Sequence, residues 1–303
     1  MPKLSSNLGQ LLNQNLTGIF YFALGMFLFS AVDAIAKILT DSFHPIQVAW
    51  SRQLGLLLGI FIMLIFKGVA ILQTNHLWLQ ISRGFLAGIS ALVFIIAISV
   101  IPIADAVAVS FVAPFFVTIL GAVVLGEYVG ARRWTAIFIG FLACLVIIRP
   151  GLTVFQPTVL LVVLAAFAFA CRQILSRILS NSDNTMTTVA YTGLTASLLL
   201  SIPLPFVWRS PVWGNEILLL VALATLAALA EIMVIKALEL AQAVVLAPVH
   251  YTLLIWGTIY GWFVFGQLPD AWTWFGSTII FATGIYIVWR EWVGKQAKPV
   301  QPS

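Results

Sequence analysis

Asp33 and Lys37 stand four residues apart in Phe27-Leu-Phe-Ser-Ala-Val-Asp33-Ala-Ile-Ala-Lys37-Ile-Leu-Thr40, a segment otherwise almost wholly apolar. At i and i+4 they share one helix face and can pair. A charge at the centre of a bilayer costs about 2.5–3.5 kcal/mol, so such residues rarely face lipid. They form structural pairs, or they gate and bind. Arg52 follows Trp50 at the start of the next apolar run. It is a candidate partner for Asp33, or an interfacial arginine beside a belt tryptophan. Arg83 sits deeper in a third run, where it can fix an anion or a helix end, or snorkel. Glu231 is the most isolated acid, walled in by the alanine-rich stretch 222–230. Its candidate partners are Arg172, His250 and Lys236. It could take a proton, bind a substrate amine or close a structural ion pair.

Other residues suit a binding role. His250, Tyr251 and Trp256 follow Pro248 and could supply polar and stacking contacts to a flat or amphipathic solute, although a lone histidine is more often a satisfied structural residue. Pro114 removes a helix hydrogen bond, so a kink there would expose carbonyls to a cavity or merely shape packing. Gln173 and Arg177 repeat the Asp33–Lys37 spacing on another run. Several chemistries have no sequence support. There is no phosphate-binding glycine loop ending in Lys-Ser/Thr, no His-Glu-x-x-His and no Cys/His cluster, so ATP drive, a metal, a cofactor and catalytic residues are not expected. Cys144 and Cys171 lie in apolar runs and read as small buried hydrophobes.

The elements that must hold these residues follow from composition. The 303 residues are 62% hydrophobic and 8% charged, with mean hydropathy +1.08. A soluble domain is nearer a quarter charged. The expectation is an all-α integral membrane protein. Ten apolar runs suffice to cross a bilayer: 16–39, 46–66, 77–99, 103–125, 133–149, 157–179, 186–207, 216–238, 243–265 and 271–290. Residues 1–15 lack the apolar core of a signal peptide. With the N-terminus inside, Lys3, Lys67, Arg132, Arg133, Arg177, Arg290, Lys295 and Lys298 are cytoplasmic, and only Arg149 and Arg209 face out. Both termini are therefore expected in the cytoplasm. The net charge of +5 reflects this loop bias and calls for no nucleic acid.

Slid by 140 residues, the chain matches itself. Phe27, Phe29, Asp33, Lys37 and Thr40 fall on Phe167, Phe169, Gln173, Arg177 and Ser180. Gly121, Gly126, Glu127 and Trp134 fall on Gly261, Gly266, Gln267 and Trp274. Each half holds five of the ten runs. An odd number reverses direction, so two inverted five-helix repeats around a central cavity are expected. The corresponding segments are 1–15, a cytoplasmic N-terminal stretch; 16–150, the first repeat; 151–290, the second; and 291–303, a cytoplasmic tail.

Arg83-Gly84, Ile101-Pro-Ile-Ala-Asp105-Ala-Val-Ala-Val-Ser110, Ala113-Pro114-Phe115, Leu125-Gly126-Glu127, Arg132-Arg133-Trp134 and Arg149-Pro150-Gly151 resemble the EamA-type pattern of the drug/metabolite transporter superfamily. The second half resembles a degenerate copy, with Gln267 where the pattern usually has an acid. The resemblance spans about residues 17–290. It implies a central cavity lined by spans 1, 3, 4, 6, 8 and 9, in the inner membrane of a bacterium. It also implies a secondary transporter, not an enzyme. The solute would be a small organic metabolite, such as an amino acid, S-adenosylmethionine, a vitamin or a drug. Family tendency favours export. Uptake of S-adenosylmethionine or riboflavin is the alternative, and a lipid enzyme or a structural membrane subunit are readings from other classes. The expected partners are that solute, the bilayer and protons as a candidate coupling ion, with the chain a monomer or a homodimer.

Overall fold

The computed structural model describes residues 2–126, 130–148, 156–179, 182–241, 246 and 249–296. Glu127, Arg149-Pro150-Gly151, Ser180, Ala247-Pro248 and Lys298 lie outside the described residues. Among those described, every regular element is a helix. That is what hydrocarbon demands of a spanning backbone, because it offers no outside hydrogen-bond partner. In chain order they are α1 (Pro2–Thr40), α2 (Pro45–Lys67), α3 (Leu77–Val100), α4 (Ile103–Ser110), α5 (Ala113–Val124), α6 (Ala131–Ile148), α7 (Val159–Leu179), α8 (Thr185–Ser201), α9 (Leu204–Val207), α10 (Asn215–Leu240), α11 (Thr252–Phe265) and α12 (Ala271–Gln296).

Six stretches are long and apolar enough to cross a bilayer: Leu16–Thr40, Pro45–Phe66, Leu77–Val100, Ile103–Val124, Val159–Leu179 and Asn215–Ala237. The apolar helices Phe138–Ile148 and Thr252–Phe265 are shorter. The chain is a multi-pass membrane protein. α1 already begins at Pro2, so the polar stretch 2–15 extends the first helix.

Helix ends are set locally. His44 precedes Pro45, and its Nδ1 accepts from the Ile46 N–H at 3.3 Å. Asn184 caps α8 by accepting from Met186 at 3.1 Å. Asp270 accepts from Thr273 at the start of α12, 2.8 Å. Gly266 ends α11 at φ 65°, a left-handed position that suits a residue without Cβ. The Ile103–Val124 stretch is interrupted in the turn before Pro114, where a proline clashes with the carbonyl four residues back. The chain breaks at Phe111 and Val112. Pro114 lies in the first turn of α5, where a missing N–H leaves no helix bond unmade.

α1 lies along α10, α3 along α7 and α8, α2 along α10 and α8, and α6 along α12. α1 also meets α11, and α4 and α5 meet α7. Glycines make the closest approaches. Gly18 and Gly25 of α1 sit against Ala241 and Val234, Gly84 and Gly88 of α3 against Thr195 and Ala196, and Gly276 of α12 against Ala143. Without a hydrophobic drive between helices in lipid, such close packing is a main source of association. α4 is at the centre, with Ile103, Ala104, Ala106, Val107, Ala108 and Val109 all buried.

Two sets of hydrogen bonds tie loops together at opposite ends. At one end the Gln47 side chain donates to the Arg209 carbonyl (2.7 Å) and accepts from its N–H (2.9 Å), while the Arg209 guanidinium reaches Ser42 O at 2.5 Å and Glu216 at 3.2 Å. At the other end Asp183 accepts from Thr74 (2.5 Å) and from Gln80 (2.6 Å). Thr74, Gln80 and, to a lesser degree, Ser182 and His76 hold the Asp183 carboxyl below the usual carboxylate range, against some burial. A recess of ≈ 860 Å³ lies beside this second set, lined by Thr74, Asn75, Asp183, Asn184, Thr187 and Tyr191. None of the ionic residues inside the helices lines it.

Candidate functional site

α1 and α2 hold the first ionic group. Arg52 Nη1 lies 3.8 Å from Asp33 Oδ1, and the Arg52 guanidinium is 5.7 Å from the Phe29 ring. Asp33 is 6% exposed, so among the described residues it meets its cation through one long contact in a dry setting. Lys37 turns away from Asp33. Its Nζ donates to the Ile101 carbonyl at 2.5 Å and lies 5.4 Å from the Phe265 ring. Ile101 is the C-cap of α3. The last carbonyls of a helix lack internal partners and carry partial negative charge. A buried ammonium there therefore caps a helix, and this is why Lys37 does not pair four residues back.

α3, α7, α8 and α10 hold the second group. Arg83 donates to Ser176 Oγ (2.7 Å), to the Thr188 carbonyl (3.4 Å) and to Thr192 Oγ1. Arg172 lies with its guanidinium 4.8 Å from the Phe169 ring, and its buried Nε has no acceptor among the described residues. Glu231 is half-buried and within electrostatic reach of both Arg83 and Arg172. Among the described residues it forms no ion pair, neither with Arg172 nor with His250 or Lys236.

The third feature is aromatic. Phe111, at the break before α5, stacks on Tyr251, at the start of α11, with centroids 4.8 Å apart and planes at 20°. His250 meets Phe111 edge-on at 5.8 Å and Phe22 at 6.2 Å. Trp256 packs edge-to-face on Phe27 at 5.1 Å, and its buried Nε1 has no acceptor among the described residues.

The fold thus gathers Asp33 with Arg52, Arg83 with Arg172 and Glu231, and His250 with Tyr251. Gln173 is exposed on α7 and joins neither ionic group, and Pro114 is exposed at the start of α5. Sequence reasoning missed Phe111, Gln47, Gln80 and Asp183. The two glutamines are fully buried near helix starts. A polar amide beside a long apolar run was the available signal.

These observations define a polytopic helical membrane protein with incompletely paired ionic groups inside its bundle. Residues 16–149 and again 156–290 match the EamA-like transporter family. The chain belongs to that family, within the drug/metabolite transporter superfamily. It is similar to an S-adenosylmethionine uptake transporter of Rickettsia conorii, at 28% identity over 91% of this chain and 94% of the relative. A riboflavin transporter of Vibrio cholerae is 31% identical over 75% of this chain and 76% of its own. A pseudopaline exporter of Pseudomonas aeruginosa is 25% identical over 87% and 93%. One solved crystal structure covers 94% of this chain and 99% of its own with a TM-score of 0.60 at 18% identity, a likeness of fold alone.

Proposed function

We propose that this chain carries a small organic solute across the cytoplasmic membrane of a bacterium, by alternating access between two inverted five-span halves. The observation that carries this is an exchange of helix partners. Moving each helix by the 140-residue offset turns α1 into α7, α2 into α8, α3 into α10, the α4–α5 pair into α11, and α6 into α12. The pair α1–α10 then becomes α3–α7, α3–α8 becomes α2–α10, and α1–α11 becomes α7 on α4–α5, while α6–α12 maps onto itself. All of these pairs pack. Direction also inverts. The loop before α2 bonds Arg209 at one end, whereas its equivalent before α8 bonds Thr74 at the other. The 23 residues of α2 separate those ends by about 35 Å.

In this reading α8 and α12 also cross the bilayer, giving ten spans, and both termini are cytoplasmic. Asp33, Arg52, Arg83, Arg172, Glu231, His250, Tyr251 and Trp256 face the solute path. A carrier of this kind is reversible, so net direction follows the gradients. The relatives fit that, being named for both uptake and export.

Counterflow tests it. Purified protein in liposomes preloaded with unlabelled S-adenosylmethionine, riboflavin or amino acids should accelerate entry of the same labelled compound. Failure of counterflow for every solute, or conversion of a solute to product, would refute transport by alternating access. Labelling of single cysteines at positions 44 and 183, with Cys144 and Cys171 replaced by serine, should occur from opposite sides. Labelling from one side would refute the inversion.

A further inference from the structure

We propose that Lys37 and Arg177 are alternate latches, each closing one end of the bundle by capping the carbonyl end of a helix in its own half. Lys37 holds Ile101 in this structure, and Arg177 takes Ala241 in the opposite state. This rests on the alternating-access function proposed above.

The closed latch is on view. Lys37 lies in the last turn of α1, buried, and its Nζ donates to the Ile101 carbonyl at 2.5 Å. The ring of Phe265, the last residue of α11, lies 5.4 Å from the ammonium. One cation thus joins the ends of α1, α3 and α11. A hydrogen bond from a charged donor is among the stronger ones in a protein, and stronger again away from water. At this end α1 cannot leave α3 without breaking it.

The second latch has the same parts. Moved by 140 residues, Lys37 falls on Arg177 and Ile101 on Ala241. Arg177 lies in the last turn of α7, as Lys37 does in α1. The acceptors match in backbone too. Ile101 ends α3 at φ −104° and ψ 158°, with its N–H on the Ala97 carbonyl. Ala241 ends α10 at φ −133° and ψ 148°, with its N–H on the Ala237 carbonyl. Both helices stop in extended backbone and leave their last carbonyls for an outside donor.

The packing is one-sided. α1 packs on α2 and on α3, whereas among the described residues α7 has no comparable packing on α8 or α10. Lys37 is buried and Arg177 is exposed. The first half is drawn together around its latch, and the second half is not. Two equivalent latches in unlike states are what ends that close in turn require.

The test uses the full-length protein in lipid nanodiscs, with Cys144 and Cys171 replaced by serine. Spin labels replace Ser42 and Val100, which report on α1 and α3, or Gln173 and Lys236, which report on α7 and α10. Double electron–electron resonance reads each pair. Lys37→Met keeps the length of the side chain and removes its donors. It should raise the ratio of long to short distances at the first pair about tenfold or more, the share of one bond from a charged donor, and shorten the second pair in step. Lys37→Arg keeps a charged donor and should shift the ratio less. Adding Arg177→Met to Lys37→Met should bring the ratio back to within about threefold of wild type, because each state has then lost one bond. Unchanged distances in Lys37→Met, or a double variant as displaced as Lys37→Met alone, would overturn the proposal. If Lys37→Met does not fold, Lys37→Gln, with and without Arg177→Met, carries the same comparison. Pairs that never move in opposition in any variant would refute alternating access itself. Opposed movement that ignores both substitutions would remove the latches and leave the transport function in place.

Discussion

Replacing Gly84 by alanine tests whether the α3–α8 seam is as tight as the structure has it. The added Cβ would lie 2.6 Å from Thr195 Cβ and 3.0 Å from the Tyr191 carbonyl oxygen. Carbon atoms settle at about 3.5–4.0 Å, so the two helices must separate by roughly 1 Å. Overpacking of this kind costs about 1–3 kcal/mol. Separation also stretches bonds across the same seam, from Arg83 to Thr192 and from Gln80 to Thr188 at 3.1 Å. Weakening a bond from a charged donor costs about 1.5–3 kcal/mol more. Alanine returns about 1 kcal/mol through better helix propensity. The net loss is about 2–5 kcal/mol, or roughly 3–8 °C in melting temperature for a chain of this size. Gly88 is the internal control. Its Cβ would meet Leu199 Cδ2 at 3.2 Å and Ala196 Cα at 3.3 Å, deficits of a few tenths of an ångström. Gly88→Ala should therefore stay within about 1 kcal/mol of wild type, propensity offsetting crowding. Thermal melting of detergent-solubilised protein, followed by fluorescence-detected gel filtration, reads both. If Gly84→Ala melts at or above the wild type, or Gly88→Ala is the worse of the two, the seam is not packed as described.

Gln47→Ala should destabilise by about 1–3 kcal/mol, because it strands the Arg209 backbone N–H and carbonyl that the buried amide satisfies. Arg209→Ala removes a half-exposed ion pair to Glu216 worth about 1 kcal/mol or less, so it should cost less in the same melts despite deleting a charge. Arg52→Gln leaves Asp33 buried without its cation and should cost about 3–5 kcal/mol, while adding Asp33→Asn should recover much of that loss. A double variant no better than the single one would contradict the pairing. The Asp183 carboxyl is held below its ordinary range, chiefly by Thr74, so its stabilisation is present above the unfolded-state value and fades as pH falls through the folded one. Melting temperature should fall below about pH 4 in the wild type and fall less in Asp183→Asn. Equal pH slopes would contradict the bond set at that end.

Much of this architecture is legible in the sequence because hydrocarbon enforces simple rules. Long apolar runs must be helices, and charges within them must turn inward, so Asp33 and Arg52 could be named before their geometry was known. Under the proposed inverted-repeat reading, the offset that places Lys37 on Arg177 also relates the helix pairs to one another. What spacing cannot supply is the identity of a partner brought in from elsewhere in the chain. Lys37 pairs with a carbonyl at the end of α3, and any sequence offers carbonyls there. Pro114 marks a disturbed helix, and the disturbance falls at Phe111 and Val112, in the turn before it. Phe111 is one of 22 phenylalanines, and nothing in its spacing separates a ring that meets Tyr251 from one that meets lipid. Gln47 and Gln80 look like ordinary residues at span ends until folding buries them.

The bond sets at the two ends distribute stiffness unevenly. Both fasten the same side of the bundle, near α2 and α8, which also pack on each other. Any parting of helices that kept Gln47 on Arg209 and Thr74 on Asp183 would turn about that seam as a book turns about its spine. Displacement would then grow with distance from the spine, smallest at α2 and α8 and largest at the far edge of the pages.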